Sequence, residues 1–330
     1  GHTRLTILVE DLANLVGAMP GGQSYPSIEL LLARGRFHPD PDQSADQKRM
    51  SLFGVTASEV PVAALTRLAD GGHMPAGRYW LRADAVTQRA DMTRVFMTGA
   101  GLDWLPEPEQ QDISRCIGQV FEDEGLDYCA GPGGRWTLSL EAAPGFSFMP
   151  LDDALGLDMA DALPDGLEAR NWRRVINEAQ VALHNHRVNI AQRQSGQVEV
   201  NGIWFWGGGY LPEPAAESIF DKVFSAHPVS CGLAVLNGSE LHDLQSFDPA
   251  VFSPGGRTLL DWTVQTRDAP AELGRLESLL HGLIKSLRSG SLSLLLAGPG
   301  GLNWAIDKAA MRRFWRRPAP LPELIKRFSP

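Results

Sequence analysis

The run Leu5-Thr6-Ile7-Leu8-Val9 is predominantly apolar and stops in two acids, Glu10 and Asp11. A short apolar run of that kind reads as a strand buried on both faces, as in a parallel sheet covered by helices. The carboxyl end of such a strand opens into the loops where ligands and metals of open α/β sheets sit. Similar runs follow at Ile203-Trp204-Phe205-Trp206, Gly232-Leu233-Ala234-Val235-Leu236, Thr258-Leu259-Leu260-Asp261-Trp262 and Leu292-Ser293-Leu294-Leu295-Leu296. Helical patterns over 26–36, 171–191 and 271–288 alternate with them. That alternation predicts an α/β fold with a mostly parallel sheet. Between 79 and 195 the pattern changes to meandering strands (78–86, 95–97, 126–129 and 136–140) around a helix at 109–124. The predicted organisation is a core formed by 3–78 and 196–330, interrupted by an inserted α+β domain over 79–195.

Composition narrows the function classes. The 330 residues are 43% apolar and 21% charged, enough for a large core without disulfides. Thirty basic against 39 acidic side chains give a net charge of −9, which argues against a general nucleic-acid or membrane-surface binder. Cys116, Cys129 and Cys231 have neither zinc-ligand spacing nor the even count of a disulfide framework. No run approaches the ~18 apolar residues of a membrane span. A cytoplasmic chain with reduced thiols is expected.

Four groupings carry candidate chemistry. In the first, His184-Asn185-His186-Arg187-Val188-Asn189 leads through Gly196 and Asn201 to Trp204-Phe205-Trp206-Gly207-Gly208-Gly209. Glycines at the end of such a strand let backbone N–H groups approach an anion, although a packed core and a sharp turn give the same pattern. His-x-His places its rings on different faces of a helix, which suits chelation poorly. In the second, Arg82 and Asp84 share one strand face, where an arginine fork suits a phosphate or carboxylate. The third pairs Asp11 at a strand end with Ser44 in a later loop, residue types that serve a metal ligand and a nucleophile but also form ordinary turns. The last is the basic C-terminus, Lys308, Arg312, Arg313, Arg316, Arg317, Lys326 and Arg327 around Phe314 and Trp315, which reads as a solvated helix face or a partner surface.

The first grouping resembles the HPVN…WLWGQG signature of archaeal-type cofactor-independent phosphoglycerate mutases, with His186 on the family histidine and Arg187 in place of its proline. Leu81-Arg82-Ala83-Asp84-Ala85-Val86-Thr87 is similar to the family's FRCNLVT, and 152–164 to its PHDISGK…LP stretch. Ser44-Ala45-Asp46 through Leu52-Phe53-Gly54 resembles the loop of the nucleophilic serine. Residues 26–36 resemble the TPNLDxLaxxG helix of the wider alkaline phosphatase superfamily. Within that superfamily the chain looks most like a bacterial group of RpfE-type regulatory proteins, through Asn177-Glu178-Ala179-Gln180, the WFWGGG strand and Phe314-Trp315-Arg316-Arg317-Pro318.

This resemblance implies an alkaline-phosphatase-like core. It also implies a ligand-binding set of Arg82, Asp84, His184, His186, Asn189, Asn201, Gly207 and Gly209. In an active member Ser44 would be the nucleophile, and two divalent ions (manganese, magnesium or zinc) would activate it and neutralise the phosphoryl oxygens. The metal-ligand segments depart from the family. Arg275 follows Gly274 where a histidine is expected, and the last strand ends in Gly298-Pro299-Gly300-Gly301 where an Asp-His pair is expected. Asp11 and Asp268 are left as candidate metal ligands, too few for a hard divalent cation. The sequence therefore predicts no cofactor and a degenerate mutase, a pseudoenzyme with a regulatory or binding role. Its expected ligand is a small anionic phosphorylated metabolite in the interdomain cleft. One alternative is an active metal-dependent mutase or related phosphoryl-transfer enzyme using Ser44, with substitute ligands from Glu10, Asp46, Asp261 or Asp268. Another is a protein-interaction module whose partner docks on the basic C-terminal helix.

Overall fold

β1 (Thr3–Val9) buries Thr3, Leu5, Ile7 and Val9 on one face, while the other passes from exposed Arg4 through half-buried Thr6 to buried Leu8. It pairs in parallel with β10 (Arg257–Trp262) on one side and β11 (Leu292–Ala297) on the other. The sheet continues through β10 to the parallel strands β8 (Lys222–Phe224) and β9 (Glu240–His242). Beyond β11 lie β12 (Asn303–Ile306) and β2 (Arg36–Phe37), both antiparallel to their neighbours. The seven-stranded order is β2-β12-β11-β1-β10-β8-β9. Leu5, Ile7 and Val9 of β1 pack in one cluster with Leu260, Leu294 and Leu296 and with the leucine face of the helix Ala269–Ser289. The mixed α/β fold with a mostly parallel sheet is as the strand–helix alternation predicts.

This computed structural model describes residues 2–328 apart from 42, 58, 92, 165, 167–168, 249–254 and 264–267. The chain divides into two units, Gly1–Thr56 with Glu213–Pro330, and Ala57–Pro212. The second unit is built on a five-stranded antiparallel sheet. Its long strand β3 (Tyr79–Asp91) pairs with β4 (Arg94–Ala100), β6 (Arg135–Leu140) and β7 (Gly202–Tyr210), and β6 pairs with β5 (Asp127–Ala130). Helices Glu107–Asp123 and Ala169–His184 pack their apolar sides in the same cluster as Leu81, Trp136, Leu138 and Phe205.

Several elements differ from the sequence expectation. The run ending in Gly207-Gly208-Gly209 is a strand, but it pairs antiparallel with β3 in place of resuming the parallel sheet. The inserted unit is accordingly wider than 79–195. Residues 232–236 belong to a helix, Pro228–Leu236, opened by Pro228 at its first position. A five-residue apolar run fits a buried helix as well as a strand. The helix expected over 171–191 breaks at His186, which caps a second helix, Arg187–Gln194. The basic C-terminus is not one helix: Lys308–Met311 and Leu321–Phe328 flank a turn ended by Pro318 and Pro320, whose missing N–H groups and rings oppose a continuous helix. Among the described residues no helix is long and apolar enough to cross a membrane, and none of the three cysteines is in a disulfide.

Candidate functional site

Three adjacent parallel strands of the first unit, β1, β10 and β8, finish together. Ile7, Leu260 and Phe224 lie in register, so Asp261 and Ser225 follow at one level and Glu10 lies just past the end of β1. The helix Ala45–Leu52 brings Arg49 to this rim. Its guanidinium is fully buried and donates from Nε to Asp261 Oδ2 at 3.0 Å and from Nη2 to Oδ1 at 3.3 Å. Nη1 donates to Asp46 Oδ1 at 2.9 Å and to Glu10 Oε1 at 3.3 Å, while Nη2 lies 3.2 Å from Glu10 Oε2. Asp261, also fully buried, accepts a further bond from Ser225 Oγ at 3.2 Å. That hydroxyl in turn accepts from the His227 backbone N–H at 2.9 Å. The His227 ring closes the group, with Nε2 3.9 Å from Asp46 Oδ1.

The electrostatics follow from burial. Burial by itself would lower the pKa of Arg49, but the charges of Asp261 and Glu10 outweigh it and raise the value. For Asp261 burial acts to raise the pKa, and the charge and hydrogen bonds of Arg49 overcome it and hold the carboxyl below its ordinary range. Burial and the Arg49 charge lower the pKa of His227, which keeps its imidazole neutral at neutral pH.

The rim therefore gathers carboxylates and an imidazole, but not Asp11 and Asp268, the two acids the sequence left as candidate metal ligands. The latter two are elsewhere engaged. Asp11 accepts from Asn14 Nδ2 at 2.6 Å, and Asp268 caps the helix Ala269–Ser289 through the Ala271 N–H at 3.3 Å. Three of the four acids named as substitute ligands, Glu10, Asp46 and Asp261, do converge, but on a guanidinium. A two-metal centre does not fit this donor set, because the oxygens that would face an ion already face Arg49. Among the described residues no group of three or more His, Cys, Asp or Glu side chains is placed to hold a metal. Arg275, standing where the family resemblance expects a histidine, pairs with buried Glu272 at 3.2 Å and stacks over Trp262. The helix that carries Arg49 buries a second cation, Lys48, against Asp40 at 2.6 Å. Ser44 is the N-cap of this helix. Its hydroxyl accepts from the Gln47 N–H, and the Gln47 side chain accepts from the Ser44 N–H, a reciprocal capping box.

The remaining sequence candidates lie in the second unit. Arg82 points its fork at Asp84, with Nε to Oδ2 and Nη2 to Oδ1 both at 2.9 Å. It also stacks on Trp206, whose indole N–H donates to the same carboxylate. Asn189 is buried and cross-links Leu183 and Val200 through their backbones. Asn201 brackets Gln88, accepting from its N–H at 2.6 Å and donating to its carbonyl at 2.8 Å. His186 caps its helix, and burial with the nearby Arg115 charge lowers its pKa. His184 is exposed at the end of the preceding helix, beside Asn201 and Gln88 in a shallow groove. Gly207 and Gly209 make room for the chain at 61–62: a Cβ on Gly209 would sit 2.5 Å from Pro61 Cβ, and one on Gly207 2.9 Å from Val62 Cβ.

Sequence reasoning missed Arg49, Ser225 and His227. A signal for Arg49 existed. A carboxylate inside an apolar strand, as at Asp261, demands a buried cation, and only its partner was illegible.

No family model matches the chain. It is 32% identical over 229 residues to a probable 2,3-bisphosphoglycerate-independent phosphoglycerate mutase of Geobacter sulfurreducens, a match covering 66% of this chain and 57% of that protein. A 2,3-bisphosphoglycerate-independent phosphoglycerate mutase of Methanosarcina acetivorans is 36% identical over 96 residues, 28% of this chain and 24% of that one. The chain thus spans little more than half the length of the first of these relatives. The solved structure of the PH0037 protein from Pyrococcus horikoshii shares the fold, with a TM-score of 0.54 at 13% identity over 93% of this chain and 85% of that one. Over 66% of its length the chain is thus similar in sequence to bisphosphoglycerate-independent phosphoglycerate mutases, and in its mixed α/β fold with a mostly parallel sheet it is similar to the PH0037 protein, with an arginine seated among its own rim carboxylates.

Proposed function

We propose that this chain is a phosphoglycerate-mutase-like protein in a binding or regulatory role, with a small anionic phosphorylated metabolite as its ligand. The observation that carries the non-catalytic part is Arg49. A guanidinium cannot act as a Lewis acid on an oxygen nucleophile in the way a divalent ion does, and it fills the carboxylates that would hold one. The capping role of Ser44 agrees with this, since its hydroxyl is committed to a helix start. The homology supports the ligand class. Arg82 is the phosphate-recognising group we assign, and an incoming anion would have to compete with Asp84 for its fork.

The test is a coupled assay of 3- to 2-phosphoglycerate conversion with added manganese, beside isothermal titration of 3-phosphoglycerate. No turnover above background is expected in the wild-type chain or in Ser44→Ala, with binding that is lost in Arg82→Gln. Turnover that disappears in Ser44→Ala overturns the proposal in favour of a phosphoryl-transfer enzyme.

One observation favours a second reading, a protein-interaction surface at the C-terminus. Phe314 and Trp315 stand 77% and 66% exposed, in edge-to-face contact and flanked in sequence by Arg312, Arg313, Arg316 and Arg317. Adjacent exposed aromatics with arginines are the residue types that anchor interfaces. The turn is held in place by Arg313 and Arg316, which donate to the carbonyls of Arg34 and Gly35. Affinity capture with the full chain and with a chain ending at Asp307 compares the two, and equal recovery of partners ends this reading.

A further inference from the structure

The second unit carries a groove whose chemistry suits a ligand other than a phosphorylated anion. We propose that this groove, between the helix Ala169–His184 and the latter half of β3, binds an extended, uncharged peptide segment through its main chain. The groove encloses about 490 Å3. Asn177, Gln180, Val181 and His184 line it at positions i, i+3, i+4 and i+7, one face of the helix. That spacing accounts for the Asn-Glu-Ala-Gln run of the sequence: Ala179 is buried in the core, while Asn177 and Gln180 turn to the groove. Gln88 of β3, 9% exposed, is the most buried residue of the lining. It is fixed from three directions. Asn201 brackets its backbone, Gln180 Nε2 donates to its Oε1 at 3.0 Å, and its amide end fills the space left by Gly202, where a Cβ would lie 2.5 Å from Nε2. Yet Gln88 Nε2 itself donates to no acceptor among the described residues. A fixed, buried donor lining a groove calls for an acceptor from a ligand, because leaving it unpaired costs more than an ordinary hydrogen bond gains.

The ligand class follows from what the walls offer. Gln88 Nε2 and Gln180 Oε1 present a donor and an acceptor on linked amides, the complement of a peptide group with its one C=O and one N–H. Asn201 already reads the main chain of Gln88 in this bidentate way within the same site. Val181, 58% exposed, offers an aliphatic contact for a small apolar side chain. Recognition of an extended peptide takes its affinity from such main-chain bonds and its selectivity from the side-chain contact. Among the described lining residues there is no Lys or Arg for a phosphate, and no Trp, Tyr or Phe on which a nucleobase would stack. The carboxylate of Glu199 is paired with Arg193. The groove is therefore uncharged in character, unlike the fork of Arg82.

The test follows the side-chain amide resonances of Gln88 and Gln180 in the nitrogen-15-labelled full chain, assigned with Gln88→Met and Gln180→Met. The probes are tri-alanine capped by acetyl and methylamide groups, adenosine, methyl α-glucoside and 3-phosphoglycerate. Capped tri-alanine is expected to shift both resonances, with an affinity that falls about tenfold in Gln88→Met, the loss of one buried hydrogen bond. Where Gln88→Met does not fold, Asn177→Ala, at an exposed position, takes its place and should weaken the peptide several-fold. Shifts caused by adenosine, the glucoside or 3-phosphoglycerate and not by the peptide overturn the proposal. So does silence toward every probe, which leaves Gln88 Nε2 to solvent, and so does an unchanged peptide affinity in the folded variants. The assignment of Arg82 to a phosphorylated ligand is decided separately, by the titration of Arg82→Gln.

Discussion

A carboxylate inside β10 is stable only because a guanidinium and a hydroxyl meet it there, and the same charges set the protonation of their neighbours. His227 is the residue through which this becomes measurable. Its folded pKa lies below the ordinary 6.5, so on acidification the unfolded chain takes up a proton that the folded chain refuses. Stability is therefore expected to fall as pH drops below about 6.5, and His227→Gln should flatten that part of the curve. Urea denaturation from pH 7.5 down to pH 5 checks this, and an unchanged slope in the variant refutes it. Asp261 acts further down the scale. With its folded pKa depressed below the ordinary 3.8, its contribution is complete above that value and is lost only as pH falls toward the folded pKa. In the second unit Asn189 is the residue to remove. It is 1% exposed and makes three backbone bonds, so Asn189→Ala leaves the Leu183 and Val200 carbonyls and the Val200 N–H without it. A loss of about 2–3 kcal/mol is expected by chemical denaturation.

At the scale of elements, β7 shows why a glycine run is ambiguous in a sequence. Gly207, Gly208 and Gly209 read equally as an anion-binding turn or as a sharp turn beside a packed core, and each is a point of close packing. The neighbours of absent Cβ atoms are Val62, the Tyr79 hydroxyl and Pro61. Gly209→Ala is expected to destabilise by about 1–3 kcal/mol through overpacking, since the ring of Pro61 cannot turn aside as a flexible side-chain end can. A Tm within error of wild type would show that the strand yields. Residues 232–236 make the same point for an apolar run, because Val229, Leu233 and Ala234 bury a helix face with the same residue types that would bury a strand. The helix Ala45–Leu52 carries little apolar surface, and its buried residues Lys48, Arg49 and Met50 show it is placed by ion pairs. Hydropathy alone does not find such a helix. The capping signal Ser44…Gln47 does.

Across the whole chain, the local sequence determined what the strongly periodic segments are. The apolar run of β1, the alternation of Trp136, Leu138 and Leu140, and the leucine spacing of the helix Ala269–Ser289 follow from periodicities of two and 3.6 residues, which act between near neighbours. Periodicity also separated a parallel-sheet core from an antiparallel insert, and the motif order pointed to the homology that identity over 229 residues supports. The tertiary structure decided which charges meet. Glu10, Arg49, Ser225, His227 and Asp261 are distant along the chain and come together only because β1, β10 and β8 are adjacent and in register. Whether a rim carboxylate faces a metal ion or an arginine depends on the path of a helix, which no spacing rule encodes. Pairing of buried charges is a long-range, all-or-none matter of a few ångströms, and the fold alone sets those distances.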